Sequence, residues 1–200
     1  MAQPDQGHGQ GVTRQLARYL VTANVADIPL AVWHEARRTL HNWLGCAVGG
    51  CRDPAVVTAL AAVGEFSGPP QASVLGHSDR LDIMNAALLN GIGSHVDDFD
   101  DTQQRRIIIH PAGPVAAAAL ALAEHTECAG QDFLHALILG IEVECRVANA
   151  VYPYYNVGWM TTSTAGILGA AAAAGRLLHL NDVQTARALG IAATQAAGLR

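Results

Sequence analysis

The chain has 200 residues, half of them hydrophobic, and its 17 acidic side chains outnumber 12 basic ones to give a formal net charge of −5 at pH 7. That length suits one domain with a substantial core, and the acidic balance, with no basic stripe, argues against a nucleic-acid surface. Every basic residue in the count is arginine, so a lysine base, Schiff base or phosphate clamp cannot come from this chain.

Alanine and leucine outnumber strand formers, and runs such as Ala116 to Ala119 and Ala170 to Ala174 favour helix. The expected class is therefore all-α, a multi-helix bundle. Residues 1–12 are polar and rich in Gly and Gln, with no apolar stretch of signal-peptide type, and read as a flexible tail ahead of a helical domain over 13–200. A helix over 13–23 places Leu16, Tyr19 and Leu20 on one face. Asp27-Ile28-Pro29 reads as the cap and first turn of a second helix, which repeats Val32, Ala36, Leu40, Trp43, Leu44 and Ala47 and ends at Gly49-Gly50. His34 and His41 fall off that stripe and are expected at the surface.

A third helix over 54–66 is closed by Ser67-Gly68-Pro69-Pro70, and residues 72–75 form a short extended piece. The next helix, 80–96, delivers an acidic segment at its C-terminal end, where the macrodipole disfavours carboxylates. A loop over 97–109 leads to a helix over 111–127 that starts beside His110, where an anion would meet free backbone N–H groups. The helix over 130–150 turns Phe133, Leu137, Ile141 and Val147 to one side, with Glu142 and Glu144 expected exposed or paired and given no role. Residues 152–159 form an aromatic loop that either lines a pocket or covers helix ends. Thr161 to Thr164 precede a small-residue helix, and a turn at 179–181 opens a last helix over 182–197. No apolar run reaches membrane-spanning length, and Cys46, Cys51, Cys128 and Cys145 lack metal-ligand spacing. The expectation is a soluble, cytoplasmic protein with reduced, mostly buried thiols.

The chemistry is concentrated between Ser94 and Pro114. Asp97, Asp98, Asp100 and Asp101 lie beside His95, Thr102 and His110, and acids that close should raise the pKa of at least one. A solvated acidic turn capping the next helix is the plainest reading. Written as DDxxD and followed by Arg105-Arg106, the segment resembles the Mg²⁺-diphosphate motif of all-α prenyl diphosphate synthases, since hard carboxylate oxygens suit that ion. The second aspartate-rich motif of those enzymes is missing, however, as is any lysine. Taken as Asp98, Thr102 and His110, the same segment holds the parts for moving a proton next to a carboxylate.

Several stretches together resemble the MmgE/PrpD family, whose members include 2-methylcitrate dehydratase, cis-aconitate decarboxylase and iminodisuccinate epimerase. They are Asp27-Ile28-Pro29, Leu44-Gly45-Cys46-Ala47, Asn90-Gly91, His95 through Thr102, His110-Pro111-Ala112-Gly113-Pro114-Val115 running into Ala119 to Glu124, and Gly166 through Leu178. The resemblance implies a lyase acting on a small di- or tricarboxylate, in a homodimer, with no metal and no organic cofactor; the acidic charge and short apolar runs add that no nucleic-acid or membrane partner is expected. By matching position Asp98, Thr102 and His110 fall where the family has active-site residues and are the expected catalytic set. His95 lies beside them, and His95, Asp101 and Thr161 are the expected substrate contacts.

Three departures accompany it. Met160 stands where members often carry a histidine, and methionine cannot transfer a proton. Asn42 stands where an aspartate is common. The family is about twice this length, with an active-site lysine and an α/β lid domain beyond residue 200, so a truncated, inactive member or a helical partner subunit is the alternative reading.

Overall fold

The computed structural model describes residues 9–104, 107–152 and 158–199. Its elements in order are α1 (Gly9–Thr22), α2 (Leu30–Gly49), α3 (Pro54–Gly64), β1 (Ala72–Ser73), β2 (Arg80–Leu81), α4 (Ile83–His95), α5 (Ala112–Thr126), α6 (Gly130–Val151), α7 (Thr161–Leu177) and α8 (Asp182–Thr194). The all-α class holds, and among the described residues no single helix is long and apolar enough to cross a membrane.

Several boundaries differ from the expectation for local reasons. The first helix begins at Gly9, inside the stretch read as a tail. Asp27 does not cap α2: it sits inside a short turn, Val25–Asp27, that Asn24 caps by accepting from the Ala26 N–H at 3.0 Å. Arg80 and Leu81 are not helical, because they pair antiparallel with Ser73 and Ala72. The helix starts one residue after Asp82, whose carboxylate accepts from Met84 N at 3.0 Å, Asn85 N at 3.1 Å and the Ser67 hydroxyl at 2.8 Å. Those donors, the Ser67 hydroxyl foremost, hold the Asp82 carboxyl well below the usual carboxylate range. The capped helix α4 is the one that carries His95.

Helix α5 runs through the middle of the bundle. Ala112, Val115, Ala116 and Ala119 are wholly buried, and the helix packs Trp43 of α2, Phe133 and Leu137 of α6, and Ala173 and Leu177 of α7 into one cluster. Its opposite side meets Ala86 and Leu89 of α4 through Ala121. A helix that is apolar all round must be enclosed, and alanine lets four neighbours come close. Helices α1 and α8 close the far side over Leu139, Val143 and Ala172.

Helices α6 and α7 approach closely through glycine. A Cβ added to Gly169 would lie 2.8 Å from the Gly140 carbonyl oxygen and 2.9 Å from both Val115 Cγ2 and Glu144 Cβ. No real Cβ sits that close to backbone, so these glycines set the helix separation.

His34 and His41 are exposed as expected. The thiols are free, but only Cys51 is buried and the other three are half-buried. Burial still pushes the Cys145 thiol up to about 12, which leaves no thiolate there at neutral pH. The aromatic stretch 153–157 lies outside the described residues.

Substituting Gly169→Ala should destabilise the fold by about 1–3 kcal/mol through overpacking, seen as a lower urea midpoint at unchanged slope. An unchanged midpoint would show that α6 and α7 can part without cost.

Candidate active site

Helix α4 ends at His95, and the chain reverses there through a turn in which the Asp98 N–H donates to the His95 carbonyl at 3.0 Å. Asp98 adopts the left-handed conformation, with φ of 50°, which aspartate tolerates better than most residues. The turn brings the Asp100 carboxylate back beneath His95. The strand-like pairing of Gln103 with Ile109, with the Gln103 N–H on the Ile109 carbonyl at 2.9 Å, then returns the chain to the same place and delivers His110. The His110 N–H donates to Thr162 Oγ1 at 3.1 Å, which fastens this loop to the first turn of α7.

Asp100 is the centre of the arrangement. Its side chain is 1% exposed, with Oδ2 3.1 Å from His95 Nδ1 and Oδ1 3.3 Å from His110 Nδ1. The Nδ1 atom of His110 also faces the Asp101 carbonyl at 3.2 Å and Thr102 Oγ1 at 3.4 Å. Surrounded by acceptors, both Nδ1 atoms carry the proton and donate it, so Nε2 of each ring is the atom left for a ligand. The two rings lie 5.2 Å apart, tilted by 57°. The bond to Asp100 raises the pKa of His95 above the ordinary imidazole value, against an opposing effect of burial.

His95, Asp100 and His110 open onto a cavity of about 500 Å³ between α4, α5 and the start of α7, whose remaining wall, Thr162 and Ser163 apart, is apolar and includes Leu88, Ile92 and Pro114. Such a volume and a few convergent polar groups suit a small molecule.

The other sequence candidates fall in different places. Asp98 has a side chain 79% exposed, with Oδ1 3.7 Å from His110 Nε2. Thr102 is exposed and donates to the Asp100 carbonyl at 3.3 Å, so it braces the loop. Asp101 turns inward and accepts from the Ala112 N–H at 3.0 Å, thereby occupying the helix N-terminus where a bound anion was expected. Burial, with Asp100 close by, raises its pKa to about 6, and it is an acid of the kind that crowding implied.

Thr161 is 3% exposed and does not line the cavity; Thr162 and Ser163, one and two positions on, do. The DDxxD reading fails on geometry. Asp97 lines a separate cavity with Asn42 and Cys46, Asp98 faces solvent and Asp101 caps α5, so the three do not converge on one ion. Arg105 and Arg106 lie outside the described residues.

Ligand atoms of His95, Asp98, Asp100 and His110 lie within 4.8 Å of one another. With both Nδ1 atoms facing acceptors, Nε2 is the atom each ring would offer to a cation or to any other ligand, since a metal-bound imidazole commonly donates its other N–H to a carboxylate.

Sequence reasoning missed two acids. Asp100 carried no assigned role, although its place between His95 and His110 in the chain was a usable signal. Glu144 was expected exposed or paired, and is neither: it is 0% exposed, and neither carboxylate oxygen has a partner among the described residues. It lies against Gly166 and Gly169 of α7. Burial, reinforced by Asp101, pushes its pKa well above the usual range and favours the protonated form. Glu142, by contrast, does pair, accepting from Arg146 Nε at 2.7 Å.

The described residues form an all-α domain in which two imidazoles face one buried carboxylate. Residues 14–200 match the MmgE/PrpD N-terminal domain, and the chain belongs to the MmgE/PrpD family. It is 32% identical over 197 residues to the cis-aconitate decarboxylase-like protein oryM of Aspergillus oryzae, covering 94% of this chain and 41% of that protein. It is 31% identical over 203 residues to the cis-aconitate decarboxylase of Aspergillus terreus, covering 98% and 41% respectively. With the human cis-aconitate decarboxylase the identity is 29% over 194 residues, covering 94% and 40%. The chain thus spans about two-fifths of the length of the curated relatives it matches.

Two measurements follow from these environments. By nuclear magnetic resonance, His95 should titrate above 6.5, and Asp100→Asn should return it to or below that value. An unshifted His95 in the unmodified chain would mean that the carboxylate does not hold it. For Glu144, the folded pKa lies above the unfolded one, so its protonated form stabilises fully below about pH 4.5 and less as the pH rises through the folded value. Glu144→Gln should therefore match the parent in Tm near pH 4 and exceed it near neutrality, by a margin that grows with pH. Equal Tm values at both pH values would show that Glu144 ionises freely in the folded state.

Proposed function

We propose that this domain supplies the proton-transfer centre of a lyase acting on a small polycarboxylate, with decarboxylation of cis-aconitate as the reading best supported. The observation that carries it is the shared contact of His95 Nδ1 and His110 Nδ1 with Asp100, which leaves two Nε2 atoms for a ligand in one cavity. The names of the relatives supply the substrate.

Decarboxylation breaks a C–C bond to a carboxylate, which leaves as CO₂, and the electron pair left on carbon must take up a proton. An imidazolium at His110 can deliver it from Nε2, while Asp100 stabilises the charged ring before transfer and fixes its orientation. His95, kept protonated to higher pH by Asp100, adds a positive charge for a substrate carboxylate in a chain without lysine. Asp98, 3.7 Å from His110 Nε2, can return the proton from solvent. The apolar wall of the cavity lowers the local dielectric and strengthens these interactions. Proton abstraction next to a carboxylate, as dehydration or epimerisation requires, would use the same Nε2 as a base. Fold-level likeness does not choose among the three reactions.

The test is CO₂ release from cis-aconitate by the whole protein, with 2-methylcitrate and iminodisuccinate as competing substrates. His110→Gln and Asp100→Asn should each lower kcat/KM by about 10²–10⁴-fold, as expected for loss of a general acid or its anchor. Near-normal rates in His110→Gln would remove that residue from the chemistry. Turnover of another substrate in preference to cis-aconitate would replace the decarboxylase reading.

A further inference from the structure

A second cavity, sharing no lining residue with the first, lies between the outer helices α1 and α8. It has a volume of about 660 Å³ and is lined by Arg14 and Arg18 on one wall and Asp182 and Arg187 on the other, with Thr13, Val183 and Ala186 between. Beneath it the helices are held by Leu20 and Leu189, which pack in one apolar cluster, and by the buried Thr185.

The charge in this groove is unusual for the molecule. The chain is acidic overall, yet three positive side chains meet one negative one here. Ion pairs engage Arg38, Arg80 and Arg146, and Arg176 donates to the Val21 carbonyl. Arg14, Arg18 and Arg187 have no such acidic partner among the described residues. Asp182, the one acid in the lining, accepts from the Val183 N–H at 2.9 Å. Arg14 and Arg18 are also one helical turn apart, where like charges repel and destabilise the helix. An anion shared between the two helices would relieve that repulsion.

We propose that the α1/α8 groove binds a small polyvalent oxyanion, gripped by Arg14 and Arg18 from one wall and Arg187 from the other. Guanidinium groups present paired N–H donors that match carboxylate and phosphate oxygens. Three of them approaching from two helices favour an anion with two or more charged groups over a monovalent one, and the volume is in the range of small-ligand sites. The carboxylate and phosphate chemistries are shared at this level, and the probes separate them.

Calorimetric titration of the full chain with citrate and with inorganic pyrophosphate, at constant ionic strength and with acetate as the monovalent control, tests the site. At least one polyvalent anion should bind, at least about tenfold more weakly to R14Q/R187Q and with unchanged affinity to R37Q/R38Q, which removes the same charge from the exposed face of α2. Preference for citrate or for pyrophosphate identifies the ligand class. All four substituted arginines are exposed, so both double variants should keep the parent's circular dichroism spectrum. Absence of binding by both anions, displacement by acetate as effective as by the polyvalent ions, or equal affinity in R14Q/R187Q would overturn the site. An equal loss of affinity in R37Q/R38Q would show a response to net charge alone and overturn it as well.

Discussion

The domain rests on backbone approaching backbone. Where Gly140 and Gly169 face each other, α6 and α7 leave no room for a side-chain carbon, and the alanine faces of α5 extend the same close packing to its neighbours. Interiors at this density transmit displacement, because no void absorbs it. His110 stands two residues before α5, and Thr162 in the first turn of α7 receives its N–H. Seating these two helices therefore also helps to seat the histidine.

Within that frame the chemistry depends on a buried charge. Asp100 is withdrawn from water almost completely, which is costly unless hydrogen-bond donors replace the solvent. The Nδ1–H of His95 does so, with the His110 ring 3.3 Å from the other side of the carboxylate, and these contacts leave Nε2 of each ring for a ligand. Glu144 meets the opposite fate. With no donor in reach, burial favours its protonated form in the seam between α6 and α7. Two buried acids thus have opposite surroundings, one met by imidazoles and the other by apolar groups and glycine.

The helices were legible because alanine and leucine dominate and because apolar residues recur at helical spacing. The site was legible as a segment, since four acids, two histidines and a threonine stand out in such a background. What stayed hidden was set by contacts between distant parts of the chain. Arg80 and Leu81 look like the start of a helix until Ala72 and Ser73 pair with them. Glu144 looks like a surface residue until the glycines of α7 close over it. Thr161 and Thr162 are chemically equivalent in sequence, yet one residue is about 100° of rotation around a helix, and that rotation separates a buried threonine from one in the cavity wall. The roles of the acids were hidden for the same reason: spacing places Asp97, Asp98, Asp100 and Asp101 together, whereas the left-handed turn at Asp98 sends them to different surroundings.

The shared carboxylate has one further consequence. His95 Nδ1 reaches both oxygens of Asp100, and His110 Nδ1 lies 3.3 Å from one of the same two. The two rings are therefore aimed by one side chain. Any change that turns the Asp100 carboxylate swings both Nε2 atoms together, so their spacing across the cavity cannot be altered one ring at a time.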